Sequence, residues 1–275
     1  MIPFFSTIAA PRRQFVFLAP NDSDVLVFDD VALDPDHHQE LLAEAQRLRG
    51  KAYVDVGALD PSQLSKDGRH VHAADDRSWH LMTLDDAGHV MACLRYLVHP
   101  NSVPFSKLTV AHSALAQSMT LGQKLRVAVE EELRRARVRG CPYVEMGGWA
   151  ITEALRCTIE ALRMILTAFA LAQASGGALG ITNANLQGCS ASILRRIGGQ
   201  RLMAEGVELP SYAETGYGSL ETEVLCFDSS RLNPRYQKWM QECAAHLPHV
   251  RVIRQVPNGV GFTSPFITTI SLPMS

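Results

Sequence analysis

Apolar and polar positions alternate most regularly between residues 141 and 200. Residues 143–146 predict a short strand, which the Gly-Gly pair at 147–148 interrupts. A helix is predicted over residues 152–175, because apolar residues recur along it at alternating steps of four and three and form one stripe. The residues of that stripe are Leu155, Ile159, Leu162, Leu166 and Phe169.

A second apolar strand is predicted over residues 178–182, and a shorter helix over residues 190–197. Two apolar strands joined by a helix are most simply parallel neighbours with a right-handed crossover. With Thr152 as its N-cap, the longer helix would present free backbone N–H groups, which can hold a phosphate. The pattern alone is more typical of an α/β core without a ligand, because neither a Walker sequence nor G-x-G-x-x-G is present.

The rest of the chain predicts a mixture of strands and helices. Residues 79–84 and 89–98 are predicted to form an antiparallel hairpin around a turn at residues 85–88. Further helices are predicted over residues 35–49, 121–139 and 234–246, and further strands over residues 25–28, 223–227 and 250–253.

The composition limits the class of protein. A chain of 275 residues forms one large domain or two small ones. We expect an N-terminal arm at residues 1–30, a single domain at residues 31–255 and a C-terminal tail at residues 256–275. Hydrophobic content of 47% and charged content of 20% are typical of a soluble globular enzyme. The net charge of −2 argues against nonspecific nucleic-acid binding, and no apolar run reaches the length of a transmembrane segment.

Cysteine and histidine spacing gives little sign of metal or nucleophile chemistry. The six cysteines are scattered without a C-x-x-C pair, so we interpret them as reduced residues of a cytoplasmic protein. No histidine has an evident place beside Cys189, and we expect a structural cysteine there. His70, His72 and His80 form the best histidine cluster, but without H-E-x-x-H or comparable spacing we expect no metal site.

The order of hairpin, helix, strand, helix, strand and helix resembles that of the GNAT acyltransferase superfamily. The acidic pair Asp75-Asp76, the turn at 85–88 and the strand ending in Arg95-Tyr96 look like motifs of one branch. These are the acidic pair, the D-x-x-G-x-V turn and the G-x-x-R strand of acyl-homoserine-lactone synthases and long-chain N-acyl amino acid synthases. Residues 143–151 resemble the central E-x-x-R-x-A-V strand of that branch. The resemblance covers roughly residues 40–230.

The resemblance implies an α/β (α+β) fold, with a mixed, mainly antiparallel central sheet flanked by helices and containing a splayed strand pair. It also implies an N-acyltransferase that moves an acyl group, fatty acyl in this branch, from an acyl-CoA or acyl-ACP thioester to the amine of an amino acid or related small molecule. Acyl carrier protein would then be a possible partner, and no metal cofactor is implied.

The resemblance also assigns roles to individual residues. Glu145 stands where the branch places a general base that acts through water, and Arg95 stands at a substrate-binding position. An ion pair between Glu145 and Arg95 or Arg163 is the structural alternative. The residues that would contact the thioester arm and its phosphates are Trp149, Ala150, Ile151, Thr152 and Arg156.

Two departures from the branch leave other functions open. Gly148 and Trp149 stand where the branch usually carries an arginine, and no tyrosine stands in the last helix, where many relatives place a general acid. An acetyl-CoA-dependent N-acetyltransferase is one alternative, although the Q/R-x-x-G-x-G/A loop of those relatives is absent. A non-catalytic acyl-thioester-binding module is the other.

Overall fold

The computed structural model describes residues 13–255 with the exception of residues 22, 24–26 and 188–189. The described residues form a ten-stranded sheet and a separate two-stranded hairpin. The strands are β1 (Gln14–Leu18), β2 (Val31–Leu33), β3 (Trp79–Leu84), β4 (Val90–His99), β5 (Tyr143–Ile151), β6 (Leu179–Asn185), β7 (Gln200–Arg201), β8 (Met203–Ala204), β9 (Val207–Glu208), β10 (Tyr212–Glu214), β11 (Leu220–Asp228) and β12 (Arg251–Arg254). The helices are α1 (Pro35–Asp55), α2 (Ala114–Gln117), α3 (Gly122–Arg139), α4 (Glu160–Ala174), α5 (Ser190–Ile197) and α6 (Gln237–His246).

The large sheet runs in the order β10-β11-β6-β5-β4-β3-β1-β12-β2, and β7 pairs with β11 beside this path. Its neighbouring strands are antiparallel except for β5 with β6, β1 with β12, and β12 with β2. The mixed, mainly antiparallel sheet flanked by helices is therefore confirmed. The parallel neighbours β5 and β6, joined through α4, are also as predicted.

Alternate residues of the middle strands pack in hydrophobic cores on opposite faces of the sheet, because successive side chains of a strand point to opposite faces. Leu81 and Leu94 pack in the core that contains α4, whereas Met82 and Cys93 pack in the core that contains α1. On β5, Val144 lies in the α4 core while its neighbour Tyr143 packs with α3. The sheet therefore lies between α4 on one face and α1 and α3 on the other.

Helix α1 begins where the sequence predicted. Asp34 accepts a hydrogen bond from the backbone N–H of His37 at 3.1 Å, and Pro35 occupies the first turn, where its missing N–H has no intrahelical partner to lose. The helix continues to Asp55 instead of ending at residue 49. Arg49 of this helix is fully buried, and α1 packs there against β4 and β5.

The helix after β5 begins later than predicted. Residues Glu153–Leu155 form a single 3-10 turn, and Cys157 has a left-handed φ of 59°, so the backbone cannot continue as an α-helix. Helix α4 starts at Glu160, whose buried carboxylate accepts a hydrogen bond from Thr83 Oγ1 at 2.5 Å. This contact ties the first turn of α4 to β3. The prediction of Thr152 as the N-cap of the long helix is wrong.

Other outcomes concern the chain ends. Residues Gln14–Leu18 lie within the stretch expected to be an arm, and they form β1 between β3 and β12. The strand predicted over residues 25–28 lies partly outside the described residues, and Val27 and Phe28 are not in a strand. The tail at residues 256–275 lies wholly outside them. In the described part of the chain, no helix is both long enough and apolar enough to cross a bilayer.

Strands β5 and β6 pair only over their first halves. The pairing ends at Met146 and Thr182, although both strands continue along their other neighbours. A bulge accompanies the separation, since Gly148 and Trp149 together lie opposite Leu94 of β4, and Gly148 has a φ of 60°. Strand β5 therefore continues through Gly147 and Gly148, so the predicted break there is wrong, and the splayed strand pair is confirmed.

The paired half of β5 and β6 requires a glycine at position 180. A Cβ there would lie 2.5 Å from the backbone oxygen of Val144 and would overlap the ring of Phe227. We expect Gly180→Ala to lower the free energy of unfolding by about 3 kcal/mol, because the strand backbone cannot move aside without breaking ladder hydrogen bonds. Urea denaturation followed by circular dichroism measures this loss.

The control for this variant is Gly206→Ala. Gly206 has a φ of 80°, but a Cβ added there would meet no atom within 4 Å. That substitution should cost only the backbone strain of about 1 kcal/mol. Equal losses in the two variants would contradict the close approach of the strands.

Candidate active site

A cleft of about 210 Å³ occupies the gap between the separated halves of β5 and β6. Residues 145–149 of β5 form one wall, and residues 181–183 of β6 form the other. The last turns of α1 bring Tyr53 to the cleft, and the 3-10 turn before β11 brings Tyr217. A concave site with several convergent polar groups is the arrangement expected of a small-molecule site.

Glu145 is a buried carboxylate in this cleft, with 7% of its surface exposed. The backbone N–H of Thr109 donates to both of its oxygens, at 2.9 Å to Oε1 and 2.8 Å to Oε2. Oε1 also lies 2.9 Å from Nε2 of His99, which β4 supplies. These contacts fix the orientation of the carboxylate, and Oε2 keeps capacity for a further hydrogen bond.

Neither arginine considered as a partner of Glu145 pairs with it. Arg163 lies 3.3 Å from Glu160, and Arg95 lies 3.6 Å from Asp75. Within the described residues, His99 is the only basic side chain within 4 Å of the Glu145 carboxylate. The ion-pair interpretation with Arg95 or Arg163 is therefore wrong.

Asp75 organises a buried charge cluster beside the cleft. Its carboxylate accepts hydrogen bonds from Arg49 at 3.1 and 2.7 Å, from Gln46 at 2.9 Å and from the backbone N–H of His72 at 3.0 Å. Burial acts to raise the pKa of Asp75, but the hydrogen bonds and charge of Arg49 outweigh it and hold that pKa well below its usual range. Arg95 is the second arginine of the cluster, and its Nη1 lies 3.6 Å from Asp75 Oδ1.

Arg49 occupies the space beside the position where the E-x-x-R pattern would have an arginine on β5. That position is Gly148, and a Cβ there would lie 2.9 Å from Arg49 Nη1 and 3.2 Å from Arg95 Cβ. Helix α1 thus supplies a guanidinium next to the bulge, and a larger residue at 148 would collide with it. The sequence offered no sign of this, because Arg49 reads as one of several polar residues near a helix end.

Of the five residues expected to contact the thioester arm and its phosphates, one lines the cleft and four do not. Trp149 lines the cleft, and its indole Nε1 is buried without a hydrogen-bond partner among the described residues. Thr152 Oγ1 is likewise buried and unpartnered. Ala150 packs in the α1 core and Ile151 against the α4 core, while Arg156 is exposed and does not line the cleft.

Several cleft residues were not anticipated. Glu214 is a second buried carboxylate, which accepts hydrogen bonds from the backbone N–H of Ala114 and from the Tyr212 hydroxyl. Tyr53 and Tyr217 meet edge to face with ring centroids 5.8 Å apart. Burial raises the pKa of both phenols, so each stays protonated and can donate a hydrogen bond. Because these residues come from segments far apart in the chain, no local pattern could have grouped them.

The three histidines of this cluster are neutral, with His80 buried and His70 and His72 partly buried. Burial lowers the pKa of His70, His72 and His80 to about 4. His72 lines the cleft, and its Nδ1 accepts a hydrogen bond from the backbone N–H of Ala74 at 3.1 Å, so the neutral ring carries its proton on Nε2. Among the residues that the structure describes, no group of three or more histidine, cysteine, aspartate or glutamate side chains could hold a metal ion.

Comparison with solved structures identifies the fold. One similar structure is that of BjaI, a CoA-dependent acyl-homoserine lactone synthase, with SAM and isopentyl-CoA. The match covers 89% of this chain and 94% of the BjaI chain, with a TM-score of 0.53 and 15% sequence identity. The match to the acyl-homoserine-lactone synthase LasI covers 80% of this chain and 91% of the LasI chain, with a TM-score of 0.46 and 13% sequence identity. The match to FeeM, an N-acyl amino acid synthase from uncultured soil microbes, covers 80% of this chain and 93% of the FeeM chain, with a TM-score of 0.46 and 11% sequence identity. No protein-family model and no curated protein matches the sequence.

The first of these structures is a member of the branch that the sequence motifs suggested, so the expected resemblance is confirmed at the level of the fold. At 15% identity the likeness to the first structure establishes a shared fold. What the cleft does in this chain therefore has to be argued from its own residues.

The two arginines of the Asp75 cluster are expected to contribute very differently to stability. Arg49 makes two hydrogen bonds to Asp75 and one to the backbone oxygen of His70, so Arg49→Met leaves Asp75 without its main partner. We expect that variant to lose about 3–5 kcal/mol of unfolding free energy. Arg95→Met removes a buried charge that Asp75 does not need, and it should leave stability within about 1 kcal/mol of the parent or raise it. Urea denaturation of the two variants tests this, and similar losses in both would contradict the unequal sharing of Asp75.

The lowered pKa values of His70, His72 and His80 predict a loss of stability in mild acid. A pKa of about 4 in the folded chain lies below the usual value of about 6.5 in an unfolded one, so the unfolded state binds more protons between these pH values. The stabilisation from the neutral rings is complete above pH of about 6.5 and falls as the pH drops toward about 4. Replacing His80 by Gln should flatten the pH dependence of the unfolding free energy in that window. An unchanged slope would show that His80 is not the buried neutral base described.

Proposed function

We propose that the protein is an N-acyltransferase that moves a fatty acyl group from an acyl-CoA or acyl-ACP thioester to the amine of an amino acid or related small molecule. The observation that carries the proposal is the separation of β5 from β6 directly beside a buried carboxylate, Glu145. The shared fold with a CoA-dependent acyl-homoserine lactone synthase supports the same reaction class.

The donor would lie along the open edge of β5. Beyond Met146, β5 no longer pairs with β6, so the backbone groups that face the gap have no strand partner there. An extended pantetheine arm carries amides that can pair with such groups in the way a strand would. The unpartnered Trp149 Nε1 is a further donor that lines the cleft, and a thioester or amide carbonyl would satisfy it. Thr152 Oγ1 is a second unpartnered group, three residues further along the chain.

The phosphates of a CoA donor would lie further out, at the turn after β5. Ala150, Ile151 and Thr152 lead the chain to that turn, and the exposed Arg156 follows it. Arg156 would supply a cation for phosphate or for the acidic surface of an acyl carrier protein. Both kinds of donor are cytoplasmic thioesters, and the cytoplasm is the compartment we propose.

The acceptor amine must lose a proton as its nitrogen attacks the thioester carbonyl. Glu145 would accept that proton, directly or through one water, on the oxygen that has capacity left beside the Thr109 N–H. The C–N bond forms, the C–S bond breaks, and the thiolate leaves and takes up a proton. A free thiol has a pKa of about 8.5, so the thiolate leaves readily. In place of the tyrosine that many relatives carry in the last helix, the Tyr53 or Tyr217 hydroxyl would donate a hydrogen bond to the departing thiolate, which takes its proton from solvent.

Glu145→Gln tests the chemistry. The variant keeps the size of the side chain but removes the base, and we expect kcat to fall by about 100-fold to 10,000-fold while thioester binding is retained. Purified protein is incubated with acyl-CoA and acyl-ACP donors of several chain lengths and a mixture of amino acids, and thiol release and acyl-amide mass are measured. Glu205→Gln, in an exposed turn between β8 and β9, is the matched control and should leave kcat unchanged.

The same experiment separates the alternatives. Turnover of acetyl-CoA alone would identify a small-group N-acetyltransferase. Thioester binding without any acyl amide, unchanged in Glu145→Gln, would identify a non-catalytic binding module. Neither product formation nor thioester binding with any donor would exclude the acyl-transfer account.

A further inference from the structure

Arg95 is a buried cation whose hydrogen bonds are unmet. Only 8% of its surface is exposed, and none of its nitrogens makes a hydrogen bond to a described residue. Its Nε is fully buried without a partner, and its closest acidic neighbour is Asp75 at 3.6 Å. A guanidinium carries five N–H donors, and leaving them unpaired in a buried position is costly.

Asp75 cannot meet this need. Its oxygens already accept four hydrogen bonds, two of them from Arg49, so its capacity is largely used. Two guanidinium groups and one carboxylate leave a net positive charge of one in the cluster. Within the described residues, no other carboxylate lies within 4 Å of Arg95, although Glu145 and Glu214 line the same cleft.

The Arg95 side chain lies at the cleft, next to the proposed base. Arg95 of β4 is in register with Gly147 of β5, and a Cβ at Gly147 would lie 3.3 Å from Arg95 Nη2. Glycine at this position leaves the guanidinium uncovered on the cleft side. Glu145 is two residues away on β5 and faces the same side, so its backbone and that of Arg95 are diagonal neighbours, roughly 7–8 Å apart.

We propose that the acceptor carries a carboxylate, and that Arg95 binds it with paired hydrogen bonds while the amine of the same molecule lies at Glu145. This deepens the proposed function and rests on it, because it names the acceptor as an anionic amine such as an α-amino acid in its free-acid form. A planar guanidinium matches a carboxylate in a two-pronged geometry, and the bound anion neutralises the excess charge of the cluster. Arg95 and Glu145 line the same cleft from neighbouring strands, which suits a molecule whose amine and carboxylate are separated by few bonds.

The alternative role for Arg95 is stabilisation of the thioester oxyanion. The two roles make opposite predictions for an acceptor that lacks the carboxylate. If Arg95 binds the acceptor carboxylate, it raises the transfer rate only for acceptors that carry a carboxylate. If Arg95 stabilises the oxyanion, it raises the rate for every acceptor.

The test compares each accepted amino acid with its α-amide as acceptors for one acyl-CoA donor. We expect the parent protein to prefer the free acid by about 100-fold in kcat/KM, because the amide leaves Arg95 unpaired. In Arg95→Met, kcat/KM for the free acid should fall by that factor while kcat/KM for the amide stays unchanged, so the preference for the acid disappears. Arg95→Lys should restore part of it, since a lysine keeps the charge without the fork. An equal fall for acid and amide in Arg95→Met would overturn the proposal in favour of the oxyanion role, and so would a parent protein that shows no preference.

A binding measurement separates this inference from the acyl-transfer proposal. The proteinogenic L-amino acids and their α-amides are titrated into the parent protein without a donor, and the thermal unfolding midpoint is recorded. We expect at least one free acid to raise the midpoint, its amide to do so less, and Arg95→Met to abolish the difference. Arg235→Met is the control, because Arg235 is exposed and has no ion pair among the described residues.

The two failures are distinct. Acid-selective, Arg95-dependent binding without any acyl product would refute the acyl-transfer proposal and keep the carboxylate site. Acyl transfer with equal use of acids and amides would keep the enzyme and refute the carboxylate site. Absence of acid-selective binding and of acid-selective turnover would refute the inference outright.

Discussion

The separation of β5 from β6 is the constraint on which the rest of the site depends. A strand that loses its neighbour exposes backbone N–H and C=O groups, and such groups are tolerated only where water or a ligand can reach them. Here the two strands meet tightly at Gly180 and part after Met146, and the bulge at Gly148 lets β5 stay attached to β4. One half of the strand pair therefore holds the sheet together, and the other half forms the walls of a cleft.

The cleft concentrates charge that a stable core would avoid. Glu145, Glu214, Asp75, Arg49 and Arg95 are all buried within or beside it. Two of these charges have well-defined partners and are therefore held rigidly. Glu145 accepts a hydrogen bond from the Thr109 backbone N–H and lies beside His99, whereas Asp75 is paired with Arg49. Arg95 differs because its partner is already engaged, and burial together with the charge of Arg49 lowers its pKa. An unmet buried donor beside an open cleft is better explained by a ligand than by the fold.

The sequence motifs led to the correct fold but to an incomplete site. Glu145, Arg95 and Trp149 could be proposed from their motifs, and all three line the same cleft. The expected helix start at Thr152 failed because Cys157 adopts a left-handed backbone and Glu160 binds Thr83 on β3, neither of which periodicity can reveal. Glu145 was paired with the wrong residues for a similar reason, since its true partners depend on how β4 and the 3-10 turn at Thr109 are placed.

The sequence by itself determined the local structure: the hairpin of β3 and β4 around its glycine-containing turn, and the cap of α1 at Asp34. These follow from alternation, side-chain capping and backbone freedom, which act over a few residues. Only the tertiary structure decided which charges meet. Arg49, Asp75 and Arg95 come from α1, a 3-10 turn and β4, and their ion pairing depends on distances that no spacing along the chain encodes. The division of one aspartate between two arginines, and the cation that this leaves free at the cleft, exists only once the sheet is folded.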